Sequence, residues 1–390
     1  MPNFDHFWSA TLTSLEATNR RRRLRDVARL PGGRIKLGNG PVLLDFASND
    51  YLGLSFRPEL INKTREAAAT HGTGAGASRL VAGNLAAFST IEAKLAAGKG
   101  TEAALVFVSG VQANLTLLPA LLDAKVLGAE PLVYADRLNH ASLIQGCVSA
   151  GARQHRFKHN DLAHLAELLE RDKALDRPRF IITESVFSMD GDRADLPALS
   201  KLAAQYSAFL YIDEAHATGV LGPNGFGLAH GLKNALVMGT FSKGLGGFGA
   251  YAACSANLRD YLINRCGGII YATALPPAVL GAMEAALDLI PNLGPERAHV
   301  QALAADLRTR LNTAGFDTGP STTQIVPLIL GEEAKVLTLA TALEAEGFLA
   351  AAIRPPTVPT GTSRMRFTLS AAHTAENVAA LAEAVIRLAQ

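Results

Sequence analysis

Phe209-Leu210-Tyr211-Ile212-Asp213-Glu214-Ala215-His216, followed downstream by Leu236-Val237-Met238-Gly239-Thr240-Phe241-Ser242-Lys243-Gly244, is the stretch that decides the fold. In each piece a short apolar run stops abruptly on polar or charged residues. A continuous apolar run, with no alternation, suits a strand buried on both faces. Similar runs recur at 104–108, 132–134, 180–183 and 250–253. The stretches between them, such as 162–169 and 196–206, carry helical spacing. Strand–helix alternation of this kind predicts an α/β fold with a mainly parallel sheet covered by helices. Ligands bind such a sheet at the carboxyl ends of its strands. Asp213, His216 and Lys243 should therefore meet at one rim.

Outward from this centre, the rhythm changes near residues 291–295. A helix is expected over 297–313, a strand over 324–330 and a helix over 333–346. A segment with Pro355, Pro356 and Pro359 follows, then a strand over 364–369 and a last helix over 375–388. The division that results is an N-terminal segment (1–50), a large domain (51–290) and a smaller C-terminal α+β domain (291–390). Within the first segment, Arg20 to Arg23 plus Arg25 form the one run of charge; it reads either as a grip for an anion or as a solvated helix face. A turn at Pro31-Gly32-Gly33 leads into a short strand over 42–46.

Composition narrows the function classes. The chain has 390 residues, 48% of them hydrophobic and 18% charged, enough apolar material for a large core. The 37 basic and 35 acidic side chains leave a net charge of +2, which gives no electrostatic footprint for nucleic acid. Cys147, Cys254 and Cys266 are widely spaced, against both a disulfide framework and a cysteine-rich zinc site. A reduced, cytoplasmic setting is the expectation. Asp5, His6 and Glu16 interrupt the start of the chain, where a signal peptide would need an apolar stretch. No run approaches the roughly 18 apolar residues of a membrane-spanning helix.

Three chemistries compete for the central stretch. Asp213-Glu214-Ala215-His216 spells the acidic box of an ATP-driven helicase, but that needs an upstream phosphate loop. The nearest candidate, Gly98-Lys99, has Gly100 after the lysine and Ala93 in place of the first glycine. Gly244-Leu245-Gly246-Gly247-Phe248-Gly249 superficially resembles a dinucleotide fingerprint, yet it lies late in the sheet and runs directly into another strand. Pyridoxal phosphate fits better. Its aldehyde needs a lysine, and Lys243 sits on a short turn among glycines. Its ring nitrogen needs a carboxylate, which Asp213 can supply at a strand end. Its phosphate needs backbone N–H groups at a helix start, and Ser109-Gly110-Val111 lies between the strand at 104–108 and a helix expected over 112–122. Thr240 and Ser242 add hydroxyls beside the lysine.

The motifs Ser48-Asn49-Asp50-Tyr51-Leu52-Gly53-Leu54, Gly72-Thr73-Gly74-Ala75-Gly76-Ala77-Ser78-Arg79, Asn139-His140-Ala141-Ser142, Ser188-Met189-Asp190-Gly191-Asp192 and Asp213-Glu214-Ala215-His216 occur in that order. With them the chain, from about Arg20 onward, resembles the α-oxoamine synthases. These are fold-type-I pyridoxal phosphate enzymes that join an amino acid to an acyl thioester with loss of CO₂. The resemblance implies a large domain with a mainly parallel seven-stranded sheet, a smaller C-terminal α+β domain, and a homodimer with shared sites. Ala352-Ile353-Arg354-Pro355-Pro356-Thr357-Val358-Pro359 resembles the branch that condenses L-alanine with a pimeloyl thioester on CoA or acyl carrier protein. A relative using glycine or serine with another acyl-CoA stays open, as does a non-catalytic scaffold.

Carried over on these motifs, Lys243 would hold the cofactor and act as base and acid at the alanine Cα. Asp213 would pair with the ring nitrogen, His216 and Ser188 lie near the phenolic oxygen, and His140 stack on the ring and assist acyl transfer. Gly110, Val111 and Thr240 would hold the phosphate, with Thr273 reaching the neighbouring subunit's phosphate. Arg354 would receive the substrate carboxylate, with Thr357 in the same product-contacting segment and Asn49 at the edge of the site. Counting without gaps from Asn49 selects Arg23 as the substrate-contacting arginine of the run. The arginine cluster can equally dock an acidic carrier. Val111 stands where relatives often carry an aromatic, and Ala217 where some carry glycine.

Overall fold

Seven strands form the central sheet of the computed structural model, which describes residues 3–389. They are β1 (Ala103–Phe107), β2 (Leu132–Asp136), β3 (Gln154–Phe157), β4 (Arg179–Glu184), β5 (Ala208–Asp213), β6 (Ala235–Thr240) and β7 (Ala250–Cys254). Their order across the sheet is β1-β7-β6-β5-β4-β2-β3. Strands β3, β2, β4, β5 and β6 pair in parallel. Only β7 runs against its neighbours, pairing antiparallel with both β1 and β6.

Successive side chains of a strand point to opposite faces, and here both faces are covered. Ile181, Leu210, Ile212 and Val237 join one apolar cluster, whereas Ile182, Tyr211, Leu236 and Met238 join the other. This is why the runs read as continuous rather than alternating. Helices Leu162–Arg171 and Leu196–Gln205 cover the sheet between strands. Asp161 and Asp195 cap them, accepting from the backbone N–H of His164 and Ala198. The six apolar runs of the sequence fall within β1, β2, β4, β5, β6 and β7 to within a residue. Strand β3 has no such run: it is an edge strand, and of its four residues only Phe157 is buried.

The chain divides into two compact units. The larger comprises 49–188 and 192–298 and holds the sheet. The smaller comprises the described residues up to Ser48, Met189–Gly191, and those from His299 onward. In the smaller unit, Val27–Leu30, Arg34–Leu37 and Val42–Asp45 form an antiparallel meander, and Phe348–Leu349 adds in parallel to Val42–Asp45. The N-terminal segment, set apart in the sequence reading, thus shares a sheet with the C-terminal part. Ile325–Gly331, Ser363–Thr368 and Ala351–Ile353 make a second, antiparallel sheet in that unit. Helices Glu333–Ala345 and Ala375–Leu388 complete it. Gly191 has a φ of +68°, and a Cβ there would lie 2.1 Å from the Ile325 carbonyl oxygen, so the close approach requires glycine.

The arginine run corrects one of its two readings. Helix Asp5–Ala17 stops before it, and residues 20–25 belong to no helix. Four of its members are ion-paired: Arg20 with Glu333, Arg21 and Arg23 with Glu16, and Arg25 with Glu344. Among the described residues, no helix is long and apolar enough to cross a membrane.

Candidate active site

The parallel register brings strand ends to one level. Glu184 pairs with Asp213, so β4 and β5 end side by side, and β6, level with them at Met238, runs on to Thr240. A cavity of about 220 Å³ opens at this rim. Its walls include Asp213, His216, Thr240, Ser242 and Lys243, together with Ser109, Gly110, Val111 and His140. The central stretch and the two upstream turns therefore converge as expected from the strand ends.

Lys243 Nζ lies 2.9 Å from His216 Nε2, and His216 Nδ1 lies 2.5 Å from the Tyr51 hydroxyl. Tyr51 in turn donates to Asn49 Oδ1 at 3.2 Å. With a lysine donating to Nε2, the His216 proton resides on Nδ1 and goes to the Tyr51 oxygen. The ring is thus held from both ends, and Tyr51, fully buried, is the strut.

Asp213 is 4% exposed. Its carboxylate accepts from the Ala215 N–H at 2.9 Å and from Asn114 Nδ2 at 3.0 Å. On the far side of the cavity, helix α1 (Gly110–Leu121) begins at Ser109, whose hydroxyl caps it by accepting from the Gln112 N–H. The backbone N–H groups of a first turn have no partner within the helix, and the helix dipole favours an anion there. Nothing comes closer to a Cβ built on Gly110 than Met238 Cε at 3.9 Å, so the backbone is open to the cavity. The Thr240 hydroxyl is 2.7 Å from that of Ser242 and accepts from the Ser242 N–H. Val111 is 51% exposed. Its position offers a backbone donor and no aromatic wall.

His140 precedes helix α2 (Ala141–Ser149) and caps it: its Nδ1 accepts from the Ser142 N–H at 3.2 Å and lies 2.7 Å from Ser142 Oγ. Burial lowers its pKa below the usual imidazole value; the Asp213 charge opposes this and Lys243 reinforces it. The His140 N–H donates to Glu184 Oε1 at 2.6 Å. Burial, and then the Asp213 charge, raise the Glu184 pKa well above the usual carboxylate range. Glu184 thus stands in the wall of the site with its charged form disfavoured.

Other expected residues are not among the walls of this cavity. Asn49 reaches it through Tyr51 rather than as wall, and Ser188 is half-buried outside the wall. Thr273 is exposed and bridges to Ser78. Arg354 and Thr357 belong to the smaller unit. There Arg354 is half-buried and donates to the Asn19 carbonyl. Arg22, not Arg23, approaches them, with Nη2 3.4 Å from the Pro355 carbonyl and 3.5 Å from the Thr357 hydroxyl. Arg23, which the ungapped count selects, instead pairs with Glu16. Asn114 and Glu184 were not singled out from the sequence, and Tyr51 and Ser142 stood in the quoted motifs without a role. Asn114 carried a usable signal, lying four residues after Gly110 on one helix face; Glu184 terminates an apolar run as Asp213 does.

The donor set suits pyridoxal phosphate: an amine, a buried carboxylate, an open helix N-terminus with hydroxyls, and an imidazole share one cavity. Comparison with known proteins agrees. Residues 41–385 match the family model for aminotransferase class I and II. The chain is 55% identical over 378 residues to 8-amino-7-oxononanoate synthase of Gluconacetobacter diazotrophicus, spanning 96% of this chain and 94% of the relative. It is 47% identical over 375 residues to the protein of that name from Geobacter sulfurreducens, spanning 94% of each. Among solved structures, serine palmitoyltransferase from S. paucimobilis, with a bound PLP–myriocin adduct, superposes with a TM-score of 0.91 at 25% identity, over 100% of this chain and 98% of that one.

Proposed function

The chain belongs to the class I and II aminotransferase family, and from that premise we propose that it condenses L-alanine with a pimeloyl thioester, releasing CO₂ and the thiol carrier to give 8-amino-7-oxononanoate. It is a pyridoxal-phosphate-dependent enzyme of fold type I. The observation that carries the reading is the meeting of Lys243, Asp213 and the open start of α1 in one cavity. The relatives at 47–55% identity over almost the whole chain, named 8-amino-7-oxononanoate synthase, support that product.

When bound, the cofactor offers an aldehyde carbon to an amino group and a protonated ring that draws electrons from the adjacent carbon. Lys243 Nζ, at the rim, would hold that carbon and, once released, take the proton from the alanine Cα. Reach comes first for a general base, and the His216 contact keeps the amine in place. Asp213, desolvated and doubly hydrogen-bonded, would hold the proton on the ring nitrogen. The N–H groups of Gly110 and Val111, with the Thr240 hydroxyl, would bind the phosphate. His140 would cover the ring and direct a donor at the thioester carbonyl. Arg354, with Arg22 and Thr357 beside it in the same unit, would receive carboxylate. Thr273, exposed, would serve the phosphate of a second subunit, which makes the working form a homodimer.

Mass spectrometry of products from alanine and pimeloyl-CoA tests the proposal. Formation of 8-amino-7-oxononanoate is expected. Turnover of glycine or serine with another acyl-CoA, and none of alanine, would overturn it. Repeating the assay with pimeloyl-acyl carrier protein identifies the carrier.

A further inference from the structure

Three buried side chains, Asn114, Ser142 and Tyr211, form a network between the carboxylate at the end of β5 and the imidazole that caps α2. Asn114 stands at their centre; it is 1% exposed, and the Tyr211 beside it is fully buried. The Tyr211 hydroxyl donates to Asn114 Oδ1 at 2.7 Å. Asn114 Nδ2 donates to Asp213 Oδ2 at 3.0 Å and to Ser142 Oγ at 2.9 Å. Only donors satisfy a carboxylate, so the amide has one orientation, and both its hydrogens are in use.

The consequence passes along the chain. Ser142 Oγ accepts from Asn114, which leaves its own hydrogen to point at His140 Nδ1, 2.7 Å away. The Ser142 backbone N–H reaches the same nitrogen at 3.2 Å. A nitrogen that faces two donors carries its lone pair toward them. The proton of a neutral His140 then sits on Nε2, and a second proton on Nδ1 would break both contacts.

We propose that Asn114 is a positioning residue that, through Ser142, fixes His140 as the Nε2–H tautomer and ties that choice to the Asp213 carboxylate. The two groups that flank the cofactor in the proposed function are thereby set together. His140 presents a hydrogen-bond donor on its free edge, while Asp213 keeps its acceptor geometry. Asn114 touches neither reacting atoms nor the substrate in this role. The charged and titratable groups facing His140 are Asp213 from β5, Glu184 from β4 and Lys243 from the turn after β6. Ser142→Ala leaves the contacts of all three in place, whereas Asn114→Leu also removes one donor from Asp213. The inference builds on the proposed site, but the tautomer is a property of the chain itself.

The test uses full-length protein loaded with pyridoxal phosphate and labelled with ¹⁵N-histidine. Two-bond ¹⁵N–¹H spectra distinguish the two tautomers, and His140→Gln identifies the His140 signals. In the unaltered protein the pure Nε2–H pattern is expected to persist as pH falls from about 8 to about 6, the range in which an ordinary histidine protonates. Ser142→Ala and Asn114→Leu should each lose the single tautomer and shift the His140 midpoint upward. Ser142→Thr, which keeps the hydroxyl, should restore the original pattern. In kinetics the two disruptive variants should lower kcat with little change in KM for alanine. An Nδ1–H pattern in the unaltered protein overturns the proposal. So does a pure Nε2–H pattern retained in Ser142→Ala, which breaks the link even where Asn114→Leu fails to fold. Failure of alanine condensation in the product assay would instead strike the proposed function and leave the tautomer result intact.

Discussion

At the scale of single residues, Lys243 and Asp213 were legible because each terminates an apolar run, and a parallel sheet puts such ends together. Lys243→Ala is expected to abolish turnover and the covalent attachment of cofactor that borohydride makes permanent; the protein's mass after reduction reads this directly. Asp213→Asn keeps the Ala215 N–H contact but loses the charge. It should still bind cofactor while kcat falls by about 10²-fold or more, the scale of losing one preorganised electrostatic partner; absorbance and steady-state rates separate the two effects. What stayed illegible at this scale is physical too. Ser142 and Asn114 act through each other across many intervening residues, and no local spacing announces a pair made by tertiary contact. The choice among Arg20–Arg23 was not legible because a run of identical residues carries no register; in the folded chain Arg23 pairs with Glu16 and Arg22 lies by Thr357.

Elements show the same division. The six strands with continuous apolar runs were readable, but β3 was not, because a strand at a sheet edge needs only one buried residue to stay in place. The link that holds its far end is His159, between Asp136 at the end of β2 and Asp192, at 3.0 and 2.9 Å. Burial opposes its charge, but hydrogen bonds to both carboxylates together outweigh that and raise its pKa to about 10. A histidine with a raised pKa stabilises the fold fully below its ordinary value of about 6.5 and loses that contribution as pH climbs through about 10. The excess melting temperature of the unaltered protein over His159→Gln should therefore be large at pH 6 and shrink toward pH 10. At the other end of the chain, Thr374 and Asn377 close a reciprocal cap on helix Ala375–Leu388. Thr374→Ala should cost about 1 kcal/mol in denaturant unfolding, with no change in kcat.

For the molecule as a whole, the decisive claim is that two copies complete one another's sites. Sedimentation velocity should show a dimer, and Thr273→Val should weaken cofactor binding without dissociating it; a fully active monomer would contradict both. The boundary between the units was less legible than the sheet. Composition does change near residue 291, yet nothing local reveals that a strand before residue 46 awaits a partner near the other end. Leu44 aligns with Phe348 and Asp45 with Leu349, and Ile35, Leu43 and Leu349 share one small apolar cluster. This pairing sets an order on synthesis. As the ribosome extrudes the chain, the larger unit can close once residue 298 has emerged, while the first forty-odd residues must wait for the 340s before their sheet gains its last strand. The newborn amino terminus therefore spends most of translation as an open edge, the interval in which a chaperone would find it.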